Sequence, residues 1–320
     1  MGMLVDGQWT TKWYVPDKDG RFVRSKTRFR SHISDDGSTP FAATSGRYHL
    51  YVSNACPWAH RTLIVRKLRG LEDDISVTVV DPMMLDKGWV FSDAPGSQPD
   101  PLFGFECLHQ IYTQADPQYT GRVTVPVLWD KVEGTIVNNE SIEIVRMFDT
   151  AMMGLGDPEV CFYPQQLASE IDQTIAAIYE PINNGVYKAG FATTQKAYEE
   201  AATALFEALE HWDGVLGQRR YLCGDVVTEA DWCLFTTLVR FDPVYHTHFK
   251  CSRRRIVDFP NVWPYLRSLY QIPGVAQTVN MDHIRQHYYR CHTSINPHAI
   301  VAQAPEMDLM APHSRHGALG

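Results

Sequence analysis

Apolar residues recur with different periods in the two halves of the chain. From Tyr48 to Ser53 β-prone side chains alternate, which predicts a short strand. Pro57 suits the first turn of a helix running to about Arg69, with Gly70 as its stop. Further strands are predicted at 75–80, 123–129 and 133–137, and a further helix at 141–150. Strand–helix–strand implies a parallel pair with a right-handed crossover, and the short turn at Asp130-Lys131 implies a hairpin. The sum is a thioredoxin-like β-α-β…β-β-α order over residues 45–150. An insertion at 82–121 has little periodicity and is expected to be irregular; insertions of that length are often functional.

Residues 151–164 carry two glycines and two prolines, which suits a linker. After them the period is helical. Leu167, Ile171, Ile175, Ile178 and Ile182 share one face, and Tyr198, Ala202, Leu205, Leu209, Trp212 and Leu216 share another. Thr228 and Asp231 have capping-box spacing ahead of Trp232-Cys233-Leu234-Phe235, a folding signal for this region. Residues 165–292 thus read as an all-helical domain. Residues 1–44 read as an extended polar segment lying over a domain, with Trp9 and Trp13 as anchors. The tail 293–320 has no pattern and is expected to be loose or draped.

Composition narrows the function classes. Apolar content of 44% and charged content of 21% fit a globular protein, and a formal charge of −8 argues against nucleic acid or an acidic membrane as partner. No apolar run approaches the ~20 residues of a bilayer span. The first six residues lack the charged and apolar regions of a signal peptide, and Asp6 stands where a myristoylation signal needs Ser or Thr. The seven cysteines are odd in number and scattered, which fits free thiols in a reducing, cytoplasmic compartment. His283 with His287, and His246 with His248 and Cys251, have spacings a metal tolerates, but no His-Glu-x-x-His motif accompanies them, and no metal is expected.

Cys56 carries the chemistry. Between a strand and a helix start it lies near the positive end of the helix dipole and near unpaired N–H groups, both of which favour thiolate. The alternative is a buried cysteine packing as a small hydrophobe. With no C-x-x-C, Cys56 has no resolving partner and needs an external thiol to complete a redox cycle. Val125-Pro126 enters a predicted interior strand. Pro126 is either an ordinary edge-strand proline or, in this order of elements, a cis-proline facing the cysteine, leaving the Val125 backbone to pair with a bound peptide. Asn138-Asn139-Glu140-Ser141 opens the next helix. Asn139 or Ser141 is a candidate cap, and Glu140 and Ser141 suit the ammonium and carboxylate of a small zwitterion; one helix end can do both.

Strand-Cys-Pro-Trp-Ala, Val-Pro, Glu-Ser and an all-helical domain together resemble a cytosolic glutathione transferase. The fuller pattern resembles the glutathionyl-hydroquinone reductases, the Xi class. It comprises Asn54-Ala55-Cys56-Pro57-Trp58-Ala59-His60-Arg61, Gly88-Trp89-Val90-Phe91, residues 122–130, Asn138-Asn139-Glu140-Ser141, and the run from Asn183 to Ala192. It covers roughly residues 5 to 290; the tail lies outside it. The resemblance implies an α/β thioredoxin-like domain plus an all-α domain, the glutathione transferase fold, with the active cleft between them. It implies Cys56 as nucleophile and Trp89, Arg122, Val123, Thr124, Val125, Glu140 and Ser141 as the glutathione-binding positions. Tyr187 matches the tyrosine that handles the ring proton, and Tyr245 and Tyr288 two further tyrosines near the thiolate. By position alone, Tyr187 follows a helix stop at Gly185 and lies on a break that suits a cleft. Glutathione is the implied co-substrate, glutathionylated hydroquinones the implied substrates, and a homodimer the implied assembly. The alternatives are an omega-like thioltransferase or dehydroascorbate reductase using the same cysteine, and a non-catalytic docking module on the same fold.

Overall fold

The structure is a computed structural model that describes residues 2–12, 15–24 and 26–315; Trp13, one of the two expected anchors, lies outside them. The chain divides into two compact units. The first takes 2–12, 26–161 and 278–291, and the second takes 15–24, 162–277 and 292–315.

In the first unit, β1 (Met3–Val5) and β2 (Gln8–Thr10) form a hairpin through Asp6 and Gly7, both at positive φ. β3 (Tyr48–Val52) leads into α1 (Pro57–Leu68), then β4 (Ile75–Val79). α2 (Leu108–Ala115) and β5 (Gly121–Arg122) lie in or at the end of the insertion expected to be irregular. β6 (Val127–Asp130), β7 (Thr135–Asn138) and α3 (Ser141–Arg146) complete the order. The main sheet runs β4-β3-β6-β7, with β3 parallel to β4 and antiparallel to β6; a second, small sheet runs β2-β1-β5. This is the expected thioredoxin-like order.

Several boundaries move, each for a physical reason. All five β3 residues are buried, so the alternation expected there does not divide core from solvent. An interior strand covered on both faces buries every side chain. α1 closes at Arg69, and Gly70 at φ +66° provides the stop. The strand expected at 123–129 starts only at Val127, because Pro126 brings no N–H to a ladder; the Val125–Pro126 peptide bond is cis. The hairpin turn occupies 131–134, where the Asp130 carboxylate accepts the N–H groups of Val132 and Glu133 at 2.8 and 3.3 Å and Gly134 takes φ +64°. The helix expected at 141–150 is α-helical only to Arg146 and continues as a π turn, Met147–Ala151.

The insertion is ordered by its own chemistry. Asp100 accepts N–H groups from Leu102, Phe103 and Phe105 and the Tyr51 hydroxyl. Gln110 and Cys107 box the start of α2. A helix of two turns is too short to show a period in sequence. Trp9 anchors β2 by donating to the Asp86 carbonyl at 2.8 Å and stacking on His109 at 4.8 Å. Residues 29–31 pair with the β7 edge: Ser31 N–H donates to Val137 and Asn139 N–H to Phe29.

The second unit is helical: α4 (Ala168–Ile178), α5 (Gly185–Gly190), α6 (Gln195–Leu216), α7 (Glu229–Arg240), the single turn α8 (His246–His248) and α9 (Val262–Tyr270). A π turn at Tyr179–Asn183 joins α4 to α5, so Gly185 starts a helix instead of stopping one, and Tyr187 lies inside α5. The Thr228–Asp231 box forms at the start of α7, with the Thr228 N–H and hydroxyl both donating to Asp231 at 2.8 and 3.0 Å. The tail is draped: Arg315 is buried and donates to the carbonyls of Leu216, Arg219 and Arg220 at the end of α6. One more helix, α10 (Met281–Cys291), belongs to the first unit.

Candidate functional site

Cys56 occupies the N-cap of α1, in extended conformation (φ −78°, ψ 122°), with Pro57 at the first helical position. Its N–H donates to the Ser53 carbonyl at 3.1 Å, which closes the turn out of β3. The side chain makes no capping bond to α1, so the sulfur is not committed to the helix's own N–H groups. It points toward the cis Val125–Pro126 bond, 3.6 Å from the Val125 carbonyl. Cys56 is half-buried, Cys161 is exposed and the other five are buried. Burial pushes the Cys107 and Cys223 thiols up, the Cys251 thiol further, and that of Cys291 to about 11. Those thiols stay protonated at neutral pH.

Val125 lies just outside the β6 ladder, which begins at Val127, so no neighbouring strand takes its N–H. Thr124 is held by Tyr112, whose hydroxyl donates to the Thr124 carbonyl at 2.8 Å and accepts its N–H at 3.2 Å. The same hydroxyl accepts from Asn139 Nδ2 at 3.0 Å, so one phenol ties the Arg122–Val125 run to the start of α3. Tyr112 is fully buried, and burial raises its phenol. Val123 is buried, and the Arg122 guanidinium reaches the Lys12 carbonyl at 3.2 Å.

The cap of α3 differs from expectation. Glu140 stands at the N-cap, and neither Asn139 nor Ser141 does. Asn138 Oδ1 accepts the Glu140 N–H at 2.7 Å, leaving the Glu140 carboxylate to accept the Thr27 hydroxyl at 3.2 Å. The Ser141 hydroxyl and Asn139 Oδ1 are buried without hydrogen-bond partners in the protein. Unpartnered polar atoms at a helix start suit the carboxylate or amide of a small ligand.

Trp89 is buried and stacks on His287 of α10, with ring centroids 4.9 Å apart. Tyr288, next on that helix, is buried as well. The structure thus brings Cys56 to Val125–Pro126, Thr124 to Asn139, and Trp89 to the helix of Tyr288. Tyr187 and Tyr245 belong to the second unit, with ring centroids 6.0 Å apart. Tyr187 is half-buried among Phe22, Phe191 and Phe249, and Arg24 lies over its ring. Sequence reasoning does not find Tyr112, and it meets His287 only as a metal candidate beside His283. A tyrosine or histidine acting through its neighbours has no local signature.

His283 and His287 both bond to prolyl carbonyls, and His248 Nε2 meets His292 Nδ1 at 3.2 Å. Among the described residues no three His, Cys, Asp or Glu side chains converge as a metal would need, and no helix is long and apolar enough to cross a membrane.

Comparison with known proteins identifies the family. The family model "Glutathione S-transferase, N-terminal domain" matches residues 55–151, and "Glutathione S-transferase, C-terminal domain" matches 195–268. The chain is similar to the glutathionyl-hydroquinone reductase YqjG of Escherichia coli K12, 54% identical with 100% of each chain covered. It is 49% identical to the glutathionyl-hydroquinone reductase PcpF of Sphingobium chlorophenolicum, over 97% of this chain and 98% of that one. Among solved structures, a Xi class GST from Natrialba magadii superposes with a TM-score of 0.94 at 55% identity, over 98% of this chain and 96% of that one. The glutathione-bound structure of E. coli YqjG superposes with a TM-score of 0.90 at 53% identity, over 98% and 99%.

Proposed function

The chain belongs to the glutathionyl-hydroquinone reductase family of the glutathione S-transferases, and from that membership we propose how its own residues carry the reaction. The chain is an enzyme that reduces S-glutathionyl-hydroquinones to hydroquinones at the expense of glutathione. The observation that carries the residue assignment is the half-buried Cys56 sulfur, placed at a helix start and facing the cis Val125–Pro126 bond.

Glutathione is the co-substrate. Its peptide pairs with the Val125 backbone, its γ-glutamyl end meets Glu140 and Ser141, and Arg122 and Trp89 hold the rest, with Val123 and Thr124 shaping the run between. The position of Val125 just outside the β6 ladder and the unpartnered Ser141 hydroxyl support this reading. Cys56 thiolate attacks the sulfur of the bound conjugate. The carbon–sulfur bond breaks, its electron pair stays on the ring carbon, and that carbon takes a proton from Tyr187. Tyr245 and Tyr288 supply hydroxyls near the thiolate. A Cys56–glutathione disulfide results. A second glutathione thiolate attacks the glutathione sulfur of that disulfide, releases glutathione disulfide and restores Cys56. With one nucleophile and no resolving cysteine, the scheme is ping-pong.

We place the enzyme in the cytoplasm, where glutathione is abundant and its thiols stay reduced, and as a homodimer. Turnover of a glutathionyl-hydroquinone with glutathione, beside hydroxyethyl disulfide and dehydroascorbate, tests the assignment. Preference for the conjugate, abolished in Cys56→Ala and reduced in Tyr187→Phe, is the expected result. Retained turnover in Cys56→Ala overturns the role given to Cys56.

A further inference from the structure

The insertion carries Trp89 and α10 carries Tyr288, and both belong to the first unit. The two segments are joined along one side of α10. His283, His287 and Cys291 stand four residues apart, one above another on the helix. A ring nitrogen of His283 (Nε2) meets the Pro95 carbonyl at 2.8 Å, His287 Nδ1 meets the Pro82 carbonyl at 2.9 Å, and the Cys291 thiol donates to the same Pro82 carbonyl at 3.5 Å. A carbonyl oxygen only accepts, so the proton of each bonded ring nitrogen points at the carbonyl.

Trp89 lies between these two anchor points in sequence. Its backbone is pinned: its carbonyl accepts the Leu108 N–H at 2.9 Å, and Val90 bridges to Cys107. Pinning the backbone fixes the origin of the side chain and leaves the indole plane undetermined, because the second side-chain torsion of tryptophan is broad. What lies against that plane is the His287 imidazole, 4.9 Å away and tilted by 20°. The bond from Nδ1 to Pro82 in turn fixes the rotation of the imidazole.

We propose that His287 is a positioning residue for this reaction: its ring, locked by Pro82, sets the plane of Trp89 against which glutathione is held. The proposal rests on Trp89 being a glutathione contact. Without the imidazole the indole samples further orientations, and the apparent affinity for glutathione falls by the fraction of competent orientations. The chemistry at Cys56 is untouched, so the effect belongs to glutathione binding and KM and leaves kcat near its native value.

Three variants separate the stack from the bond. His287→Phe keeps a flat ring and loses the bond to Pro82; His287→Asn keeps an N–H at that position and loses the ring; His287→Ala loses both. Direct titration of glutathione by calorimetry, with kcat and KM on a glutathionyl-hydroquinone, reads the outcome. His287→Ala and His287→Asn are expected to weaken glutathione binding about three- to tenfold, the range an aromatic pair commands, and His287→Phe, which keeps the ring without its lock, to restore part of it. Trp89→Ala is expected to weaken binding as well, and Trp89→Ala/His287→Ala no further than Trp89→Ala alone. Native affinity in His287→Ala beside weakened binding in Trp89→Ala overturns the proposal and leaves the glutathione site standing. Native affinity in Trp89→Ala overturns the role of Trp89 and the proposal with it. A His287→Asn variant that binds normally beside an impaired His287→Phe assigns the effect to the Pro82 bond and likewise overturns the stack.

Discussion

Seven cysteines share one chain, and their surroundings set them apart. Desolvation holds the Cys107, Cys223, Cys251 and Cys291 thiols in the protonated form, whereas Cys56 is half-buried at a helix start. Brief alkylation at pH 7 followed by mass mapping is expected to label Cys56 and the exposed Cys161, and to spare these four. Labelling of Cys107 ahead of Cys56 contradicts this ordering. Cys56→Ser is expected to lower reductase turnover by roughly a thousandfold or more, because the alcohol is neither ionised nor able to form the mixed disulfide. Cys56 is legible as a candidate nucleophile in the sequence, since strand, cysteine and helix start are adjacent there. The tyrosines are not: family resemblance alone singles out Tyr187, Tyr245 and Tyr288, because a phenol's neighbours come from distant segments. Tyr112 escapes entirely for the same reason. It joins Thr124 to Asn139 across 15 positions of sequence.

At the scale of elements, local signals hold where they are self-contained. The Thr228–Asp231 box is one: its donors and acceptor lie within a single turn. Asp231 also accepts the Leu222 N–H at 3.0 Å and the Tyr265 hydroxyl at 2.8 Å, fully buried. Thr228→Ala is expected to cost about 1 kcal/mol, and Asp231→Ala at least about 3 kcal/mol, because several buried donors lose their acceptor; urea melts followed by circular dichroism measure both. The β3–β4 pair makes a second case. His49 on β3 bonds Ser76 and Thr78 on β4 through its two ring nitrogens, and burial lowers its pKa from 6.5 to about 4. The folded state keeps this ring neutral, while the unfolded chain takes up a proton below about pH 6.5. Stability therefore falls as pH drops from 6.5 to about 4, by about 3 kcal/mol from this group, and its contribution is level below that window. His49→Gln is expected to flatten the dependence in that window; an unchanged slope argues against His49 as its source. Boundaries shift where the decisive contact is remote. The short α2 is hidden in the insertion, and β6 begins later than its apolar run suggests because Pro126 brings no N–H to the ladder.

At the scale of the whole chain, glutathione binds the folded state and stabilises it by mass action, by about 2.7 kcal/mol at a hundredfold excess over Kd. Scanning calorimetry is expected to show the glutathione-dependent transition rise by a few degrees, and by less in Trp89→Ala, on the reading that Trp89 contacts glutathione. Arg69 shows how distant segments are held within the first unit. Fully buried at the end of α1, it donates to the carbonyls of Phe148, Met152, Leu155, Asp157 and Val160, so much of the stretch expected to be a linker wraps one guanidinium. Arg69→Met leaves those carbonyls without their donor and is expected to lower the melting temperature by several degrees. The amino-acid sequence by itself determined the order of the main-sheet strands with α1 and α3, the change from a sheet period to a helical one, the capping box and the cysteine at a helix start. Those properties depend on residues within a few positions of one another, where backbone geometry converts spacing directly into neighbourhood. Only the tertiary structure decided that the N-terminal residues complete sheets, that the insertion is ordered around Asp100, that Arg69 fastens the following stretch, and that His287 lies on Trp89. Apart from the local turns that close on Asp100, these rest on contacts between segments tens to hundreds of residues apart, and a one-dimensional pattern carries no record of which distant groups will satisfy a buried carbonyl or cover an aromatic face.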